Sequence, residues 1–342
     1  MVGWLDTPAG KVPQVATKLS SRDRRGAARV RLNIRRMDYA IPPGLYAVGQ
    51  PTQDSPVLAS ANYKLSFDYL RRELDGLAAW ILVLDTKGVN VWCAAGKGTF
   101  GTGEIIDQIE VTALASVVAH RTLITPQLGA PGVAAHEVRK RSGFRVVYGP
   151  VRAKDTRAFL EAGMQATPEM RRVRFDLRDR LVIIPLELVQ ALKYTLFAVA
   201  CLFIFSGLSR DGYDSARALA HGSRAALLLF LSVLGGCAVT PILLPWLPGR
   251  AFSSKGATIG ILLACCVVLL RWIPWEGTGG RLETASWLLM MPAVSAFLAM
   301  NFTGASTYTS LSGVKREMRT AGPTQFTAAV IGLAFWIVGR FF

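Results

Sequence analysis

Five cysteines occur in the 342 residues, and four of them (Cys201, Cys237, Cys265, Cys266) lie in long apolar runs of the C-terminal half. The fifth, Cys93, stands in Asn90-Val91-Trp92-Cys93-Ala94-Ala95-Gly96-Lys97. By pattern this stretch lies between a strand-like segment and a glycine-rich turn, at the mouth of an α/β domain. A thiolate there is a soft, strongly donating metal ligand. An unpaired cysteine is also commonly a small buried hydrophobe, and spacing alone leaves both readings open. The same holds for its neighbours: Trp92 as core, Asn90 as a turn residue, Lys97 as a solvated charge. The cysteines show no paired spacing, which argues against a disulfide framework, a zinc site or an iron–sulfur cluster.

The segment also invites nucleotide readings. Gly96-Lys97-Gly98-Thr99-Phe100-Gly101 fits G-x-G-x-x-G ahead of an expected helix. A dinucleotide loop needs an acidic residue about 20 positions on, at the end of a second strand. Residues 116–126 contain neither Asp nor Glu. A phosphate-binding P-loop would need glycine at position 91 and Ser or Thr at 98, where Val91 and Gly98 stand. Nucleotide binding is therefore a minor reading.

The elements that must position Cys93 follow from periodicity. Residues 1–28 are polar and basic and are expected to form a loose N-terminal arm. Val30, Leu32 and Ile34 alternate and predict a half-buried strand over 29–34. Strands are also expected at 45–48, 56–59, 78–84, 123–125 and 144–148. The run from Ala78 to Leu84 is continuously apolar, as in a strand buried on both faces. Leu70 and Leu74 mark a helix closed by Gly76. A second helix begins near Thr102, with Ile105, Ile109, Ala113 and Val117 as its buried stripe. Shorter helices end in Arg139-Lys140-Arg141, follow Asp155, and start at Thr167-Pro168. Strands alternating with helices predict a mostly parallel, Rossmann-like α/β domain over 29–180. Ligands of such sheets bind beyond the carboxyl ends of the strands. That places Ser60, Asn62, Thr125, Gln127 and Gly149 as candidate contacts, from position alone.

The remainder, 181–342, reads as a transmembrane domain. Five apolar spans are expected near 186–208, 223–247, 257–274, 284–302 and 324–342, each near the length that a bilayer core requires. Few ionisable residues are expected deep inside them, so an anchor is expected rather than an ion path. The net charge of +16 gathers in part at Arg22, Arg24 and Arg25, at 139–141, and between Arg171 and Arg180 just before the first span. This suits anionic headgroups and an N-terminus in the cytoplasm with the C-terminus outside. No recognition-helix, zinc-finger or aromatic–basic strand pattern supports nucleic acid. No signal-peptide pattern opens the chain. The expected location is the cytoplasmic (inner) membrane, multi-pass, with the N-terminal domain in the cytoplasm.

Asn-Val-Trp-Cys-Ala-Ala-Gly-Lys at 90–97, Ser-Ala-Asn-Tyr-Lys-Leu-Ser-Phe-Asp at 60–68 and the five-span C-terminal half closely resemble the HgcA family, the corrinoid proteins of microbial mercury methylation. The resemblance runs from about residue 30 to the end, and no position of the eight-residue motif departs from the family pattern. The soluble half also resembles the corrinoid-binding domain of the corrinoid iron–sulfur protein of the acetyl-CoA pathway, without that protein's N-terminal cysteine cluster. Neither His120 nor His136 belongs to the D-x-H-x-x-G arrangement of histidine-ligated cobalamin proteins.

The resemblance implies a cobalamin-type corrinoid held base-off over the α/β domain. Its motif implies a cap helix over the lower face in place of the strand and turn that pattern gives for 89–98. Cys93 would be the axial cobalt ligand and the catalytic residue, with Asn90, Val91, Trp92, Ala94, Ala95, Gly96 and Lys97 shaping the cap. Small residues at 94–96 would let it approach the macrocycle closely. The implied activity is that of a membrane-anchored corrinoid-dependent methyltransferase passing a methyl group from cobalt to Hg(II), forming methylmercury. A thiolate trans to the methyl group pushes electron density onto the metal, as cysteine does to haem iron. The methyl can then leave as a carbanion equivalent. Implied partners are a dicluster 4Fe–4S ferredoxin (HgcB) as electron donor and a methylated-folate-dependent methyl donor protein. The alternatives are a methyl carrier of one-carbon metabolism without a mercury role, and a non-enzymatic membrane sensor of corrinoid or metal.

Overall fold

The computed structural model describes residues 1–273, 275–302 and 311–342. The chain divides into two units, Met1–Val173 and Arg174–Phe342.

The first unit is built on seven strands: β1 (Gly3–Thr7), β2 (Gly10–Val15), β3 (Gly44–Val48), β4 (Val57–Ala61), β5 (Ala79–Leu84), β6 (Thr122–Thr125) and β7 (Arg145–Tyr148). Their spatial order is β1-β2-β3-β5-β4-β6-β7. The β4–β5, β4–β6 and β6–β7 pairs are parallel. β3 joins β5 antiparallel, and β1 and β2 form an antiparallel hairpin. The sheet is therefore mixed, with a parallel half that carries the crossovers.

The helices of this unit are α1 (Ser21–Arg31), α2 (Lys64–Glu73), α3 (Val91–Lys97), α4 (Thr102–Val111), α5 (Leu114–Val117), α6 (Ala135–Ser142), α7 (Thr156–Glu161) and α8 (Pro168–Arg171). All six residues of β5 are buried, because successive side chains enter different cores. Trp80, Leu82 and Leu84 join residues of α3, α4 and α6 in one cluster; Ala79, Ile81 and Val83 join α2 and α7 in the other. From β4 the chain passes through α2 to β5 on one side. It then returns through α3 and α4 to β6 on the other side of β4. In sheets of this kind such a reversal is where ligands bind, beyond the carboxyl ends of the strands, here those of β4 and β6.

Three local expectations are corrected. Residues 1–28 are not a loose arm: they form the β1–β2 hairpin and most of α1. Residues 29–34 are not a strand, because α1 runs through them to Arg31. A reciprocal capping box between Ser20 and Asp23 starts that helix. Of the alternating apolar residues only Val30 is buried, while Leu32 and Ile34 are exposed. The helix expected to continue from Thr102 past Val111 breaks at Ala113, which takes a left-handed backbone (φ 46°) before α5.

The second unit contains α9 (Leu177–Ser206), α10 (Ser215–Leu234), α11 (Thr240–Leu243), α12 (Phe252–Leu269), α13 (Gly277–Met300) and α14 (Leu311–Val338). A π turn at Gly235–Val239 joins α10 to α11. Five helices are long and apolar enough to cross a membrane: 177–206, 215–243, 252–269, 277–300 and 312–341. The last residue of the span expected at 257–274 lies outside the described residues. Three ionisable residues at or beside the margins of the expected spans are nonetheless buried in the bundle. Glu187, Lys255 and Glu283 are buried, each at 7% exposure or less. Lys255 donates to the carbonyls of Leu244 (2.8 Å) and Leu247 (2.6 Å), in the segment that follows α11.

Candidate functional site

Cys93 lies on α3. The Asn90 side chain caps this helix, its Oδ1 accepting from the Cys93 amide at 3.0 Å. The helix closes at Gly98, which has a left-handed backbone (φ 81°). Residues 91–97 are thus helical, in place of the strand and turn that pattern gives for 89–98. Val91, Ala94 and Ala95 share one face at i, i+3 and i+4 spacing and are buried in the core. Trp92, Cys93, Gly96 and Lys97 occupy the opposite, exposed face. Of the small residues at 94–96, Gly96 lies on the exposed face, while Ala94 and Ala95, with Val91, anchor the helix to the core.

The helix is held from beneath by the 3₁₀ turn Gln127–Gly132, which follows β6. A Cβ on Gly132 would meet the Phe100 carbonyl oxygen at 2.2 Å and the Ala95 Cα at 3.2 Å. Only glycine lets these two backbones approach so closely. On the outer face a Cβ on Gly96 would meet nothing within 4 Å.

The loop from β5 to α3 is shaped by Asn62 at the end of β4. Its Oδ1 accepts from the amides of Thr86 (3.2 Å) and Gly88 (3.0 Å), and its Nδ2 donates to Asp85 Oδ1 (3.1 Å). The Thr86 hydroxyl bonds the Val89 carbonyl at 2.7 Å. The Lys87 ammonium beside Asp85 holds that carboxyl below the usual carboxylate range, with further help from the Lys87 amide and Asn62. Asn62 is thereby engaged inside the fold and positions the loop. Ser60, near the end of the same strand, is buried and its hydroxyl bonds the Ala61 carbonyl.

At the end of β6, Thr125 is fully buried, and its hydroxyl has no hydrogen-bond partner among the described residues. Gly149, past β7, donates its amide to the Thr125 carbonyl at 2.8 Å. Gln127 is half-buried on the 3₁₀ turn. Tyr63 escaped the sequence reading. It follows Asn62, and its buried hydroxyl also lacks a partner among the described residues. Its place in the Ser60–Lys64 loop was the available signal. The glycine pattern at 96–101 begins inside α3 rather than at the end of a strand, which removes the context that a dinucleotide loop requires.

Among the described residues no group of three or more His, Cys, Asp or Glu side chains gathers as a metal site. The site therefore offers one outward sulfur on a capped, core-anchored helix, next to a flat indole and a bare glycine.

Residues 36–160 match the family described as CdhD, CO dehydrogenase/acetyl-CoA synthase delta subunit. This match lies within the first unit. Curated relatives include the acetyl-CoA decarbonylase/synthase complex subunit gamma of Methanopyrus kandleri. It is 33% identical over 124 residues, 35% of this chain and 26% of the relative. The subunit gamma of Archaeoglobus fulgidus is 30% identical over 128 residues, 37% of this chain and 27% of the relative. That of Methanocaldococcus jannaschii is 33% identical over 116 residues, 33% of this chain and 23% of the relative. The first unit is homologous to a part of these subunits, and the chain spans about a quarter of the relatives' length.

Proposed function

We propose that the chain is a membrane-anchored, corrinoid-dependent methyltransferase whose Cys93 thiolate is the axial ligand of the corrinoid cobalt and whose methyl acceptor is Hg(II). The observation that carries this reading is the lone outward sulfur of α3. A metal held by one protein sulfur must bring its remaining ligands with it, as the metal of a planar macrocycle does. The residues fit such a group. Trp92 and Gly96 flank Cys93 on an open helical face, and the buried Thr125 hydroxyl at the end of β6 lacks a hydrogen-bond partner among the described residues. When bound, the corrinoid supplies a metal-bound methyl group that can be transferred to a soft electrophile.

The chain's own residues do the positioning. Asn90 fixes the first turn of α3, so the thiol stands at a defined place. Val91, Ala94 and Ala95 lock the helix to the sheet core. Gly132 lets the 3₁₀ turn brace it. Gln127 and Gly149, in the loops past β6 and β7, border the same edge of the sheet. Lys97, exposed at the end of α3, is suited to an acidic or amide group at the rim.

The reading extends to partners and place. Among the described residues no cysteine group stands ready to hold an iron–sulfur cluster, so electrons are assigned to a separate dicluster 4Fe–4S ferredoxin. The methyl group is assigned to a methylated-folate-dependent protein. The five long apolar helices suit the cytoplasmic membrane, with the first unit inside and the C-terminus outside.

The comparisons favour a second reading: a corrinoid methyl carrier of one-carbon metabolism without mercury, in line with relatives named as subunits of acetyl-CoA decarbonylase/synthase complexes. One experiment addresses both. The full chain in detergent is loaded with hydroxocobalamin, wild type beside Cys93→Ala, and the visible spectrum is recorded. A thiolate-type shift in wild type that the variant lacks supports Cys93 ligation. A folded wild type that retains no corrinoid overturns both readings. Offering Hg(II) to methylated protein then separates them, because methylmercury forms only under the first.

A further inference from the structure

At the end of the helical unit where α10 and α13 begin and α14 finishes, three helices each bring a polar pair to one place. α10 contributes His221 and Arg224, α13 contributes Glu283 and Trp287, and α14 with its last turn contributes Trp336 and Arg340. Each pair is three or four residues apart, so both members share a helix face. Close backbone contact between α13 and α14 brings them together. A Cβ on Gly332 would meet the Ser286 carbonyl oxygen at 2.9 Å, and one on Gly279 would meet the Gly339 carbonyl oxygen at 2.9 Å.

Glu283 is the only acid in contact with the cluster among the described residues. One of its oxygens bonds Arg340, and the other stands 3.8 Å from an Arg224 nitrogen, beyond hydrogen-bond reach. The Arg340 guanidinium lies 5.1 Å from the Trp336 ring centroid. Arg217 adds a third positive charge within electrostatic reach of His221. Two guanidinium groups, those of Arg224 and Arg340, thus face one carboxylate, inside a helix bundle where uncompensated charge is costly.

The hydrogen bonds show the same imbalance. Arg340 Nε, Arg224 Nη1, Trp287 Nε1 and Trp336 Nε1 are buried donors without a hydrogen-bond partner among the described residues; so is His221 Nδ1, a donor in one tautomer. Trp287 and Trp336 are 1% and 0% exposed. Arginine and indole nitrogens only donate, and the second Glu283 oxygen, an acceptor within the cluster, stands 3.8 Å from Arg224. They need an acceptor, and the surplus charge makes a negative one favourable.

We propose that this cluster is an anion-binding site that takes one small inorganic anion of chloride size. The burial of the donors argues for a compact, dehydrated ion over a lipid headgroup. The site is independent of the corrinoid reading, since it involves the second unit alone.

The test uses the full chain in nanodiscs, with chloride titrated against gluconate at constant ionic strength and the thermal unfolding midpoint recorded. A saturable rise with chloride is expected in wild type. Trp336→Phe removes one N–H donor and keeps the ring, and about tenfold weaker chloride dependence is expected, as for loss of one charge-assisted hydrogen bond. Arg340→Gln is expected to abolish the dependence. Should Arg340→Gln fail to fold, Trp336→Phe still decides. Equal midpoints in chloride and gluconate for wild type would overturn the proposal, as would a Trp336→Phe protein that titrates like wild type. Repeating the series in phosphatidylcholine with and without phosphatidylglycerol separates the sources. Stabilisation that follows the anionic lipid instead of chloride also overturns it.

Discussion

At the scale of single residues, the site rests on the division of α3 into an inner and an outer face. Cys93 is exposed, so Cys93→Ala removes little packing. The variant is expected to unfold within about 0.5 kcal/mol of wild type in a denaturant titration while losing methyl transfer altogether. Retained transfer would remove the thiolate from the mechanism. Asn90 acts differently. Its side chain supplies a helix cap, so Asn90→Ala is expected to cost about 1 kcal/mol locally. It should broaden the corrinoid absorption without abolishing binding, because the sulfur remains but its place is less fixed. Amide hydrogen exchange over residues 91–97 checks this directly: faster exchange is expected there and unchanged exchange in β5.

At the scale of elements, α3 depends on the 3₁₀ turn beneath it. A methyl group on Gly132 collides with the Phe100 carbonyl and the Ala95 backbone, both parts of the fold that cannot yield cheaply. Gly132→Ala is therefore expected to destabilise the first unit by about 2 kcal/mol or more and to loosen corrinoid binding, with Cys93 itself untouched. A second element prediction concerns α1, which is clamped to α2 by charge. Lys64 and Arg71 each bridge Asp23 and Asp68, with Lys64 Nζ 2.7 Å from Asp23 and Arg71 Nη2 3.0 Å from it. Burial works to raise the Asp23 carboxyl, but hydrogen bonds from Lys64 and from the Ser20 hydroxyl and amide outweigh it and hold the group well below the usual carboxylate range. A depressed carboxylate stabilises the fold fully above its unfolded value of about 3.9, and loses that contribution as pH falls through the folded value. Wild type should therefore lose stability below pH ~4, and Asp23→Asn should be less stable at neutral pH and respond less to acid. Chemical denaturation between neutral pH and pH ~3 reads both.

These elements also show what the sequence disclosed. The buried strand 79–84 and the five apolar helices were legible, because continuous apolar runs have few alternative explanations. The segment 29–34 misled, because Val30, Leu32 and Ile34 alternate as in a strand while the signal that decides its fate, the Ser20–Asp23 capping box, lies ten residues upstream. In α3, seven residues are too few for periodicity to separate helix from strand. The helix was implied by family resemblance instead, and the structure then showed that Ala94 and Ala95 face inward. Asn62 and Ser60 were placed correctly at a strand end, but their orientation depends on tertiary partners 24 or more residues away in the case of Asn62, namely Thr86 and Gly88.

At the scale of the whole molecule, the apolar clusters of each unit are drawn from that unit's own residues. The first unit buries both faces of its sheet beneath its own helices, so its core needs nothing from the helical unit. A chain of residues 1–173 is therefore expected to be soluble, to unfold in one cooperative step and to retain the corrinoid. The helical unit has a different balance. It holds Glu283 and Arg340 inside an apolar bundle, where each guards the other's charge. Neither was legible as a pair, since they lie 57 residues apart and at the margins of two separate spans. Glu283→Gln is expected to leave Arg224 and Arg340 without their counter-charge, costing about 3 kcal/mol or more. The loss should appear as a lower unfolding midpoint of the full chain in nanodiscs, with the 1–173 transition unmoved. If both transitions fell together, stability would be shared between the units, and the independence inferred from their separate cores would be wrong.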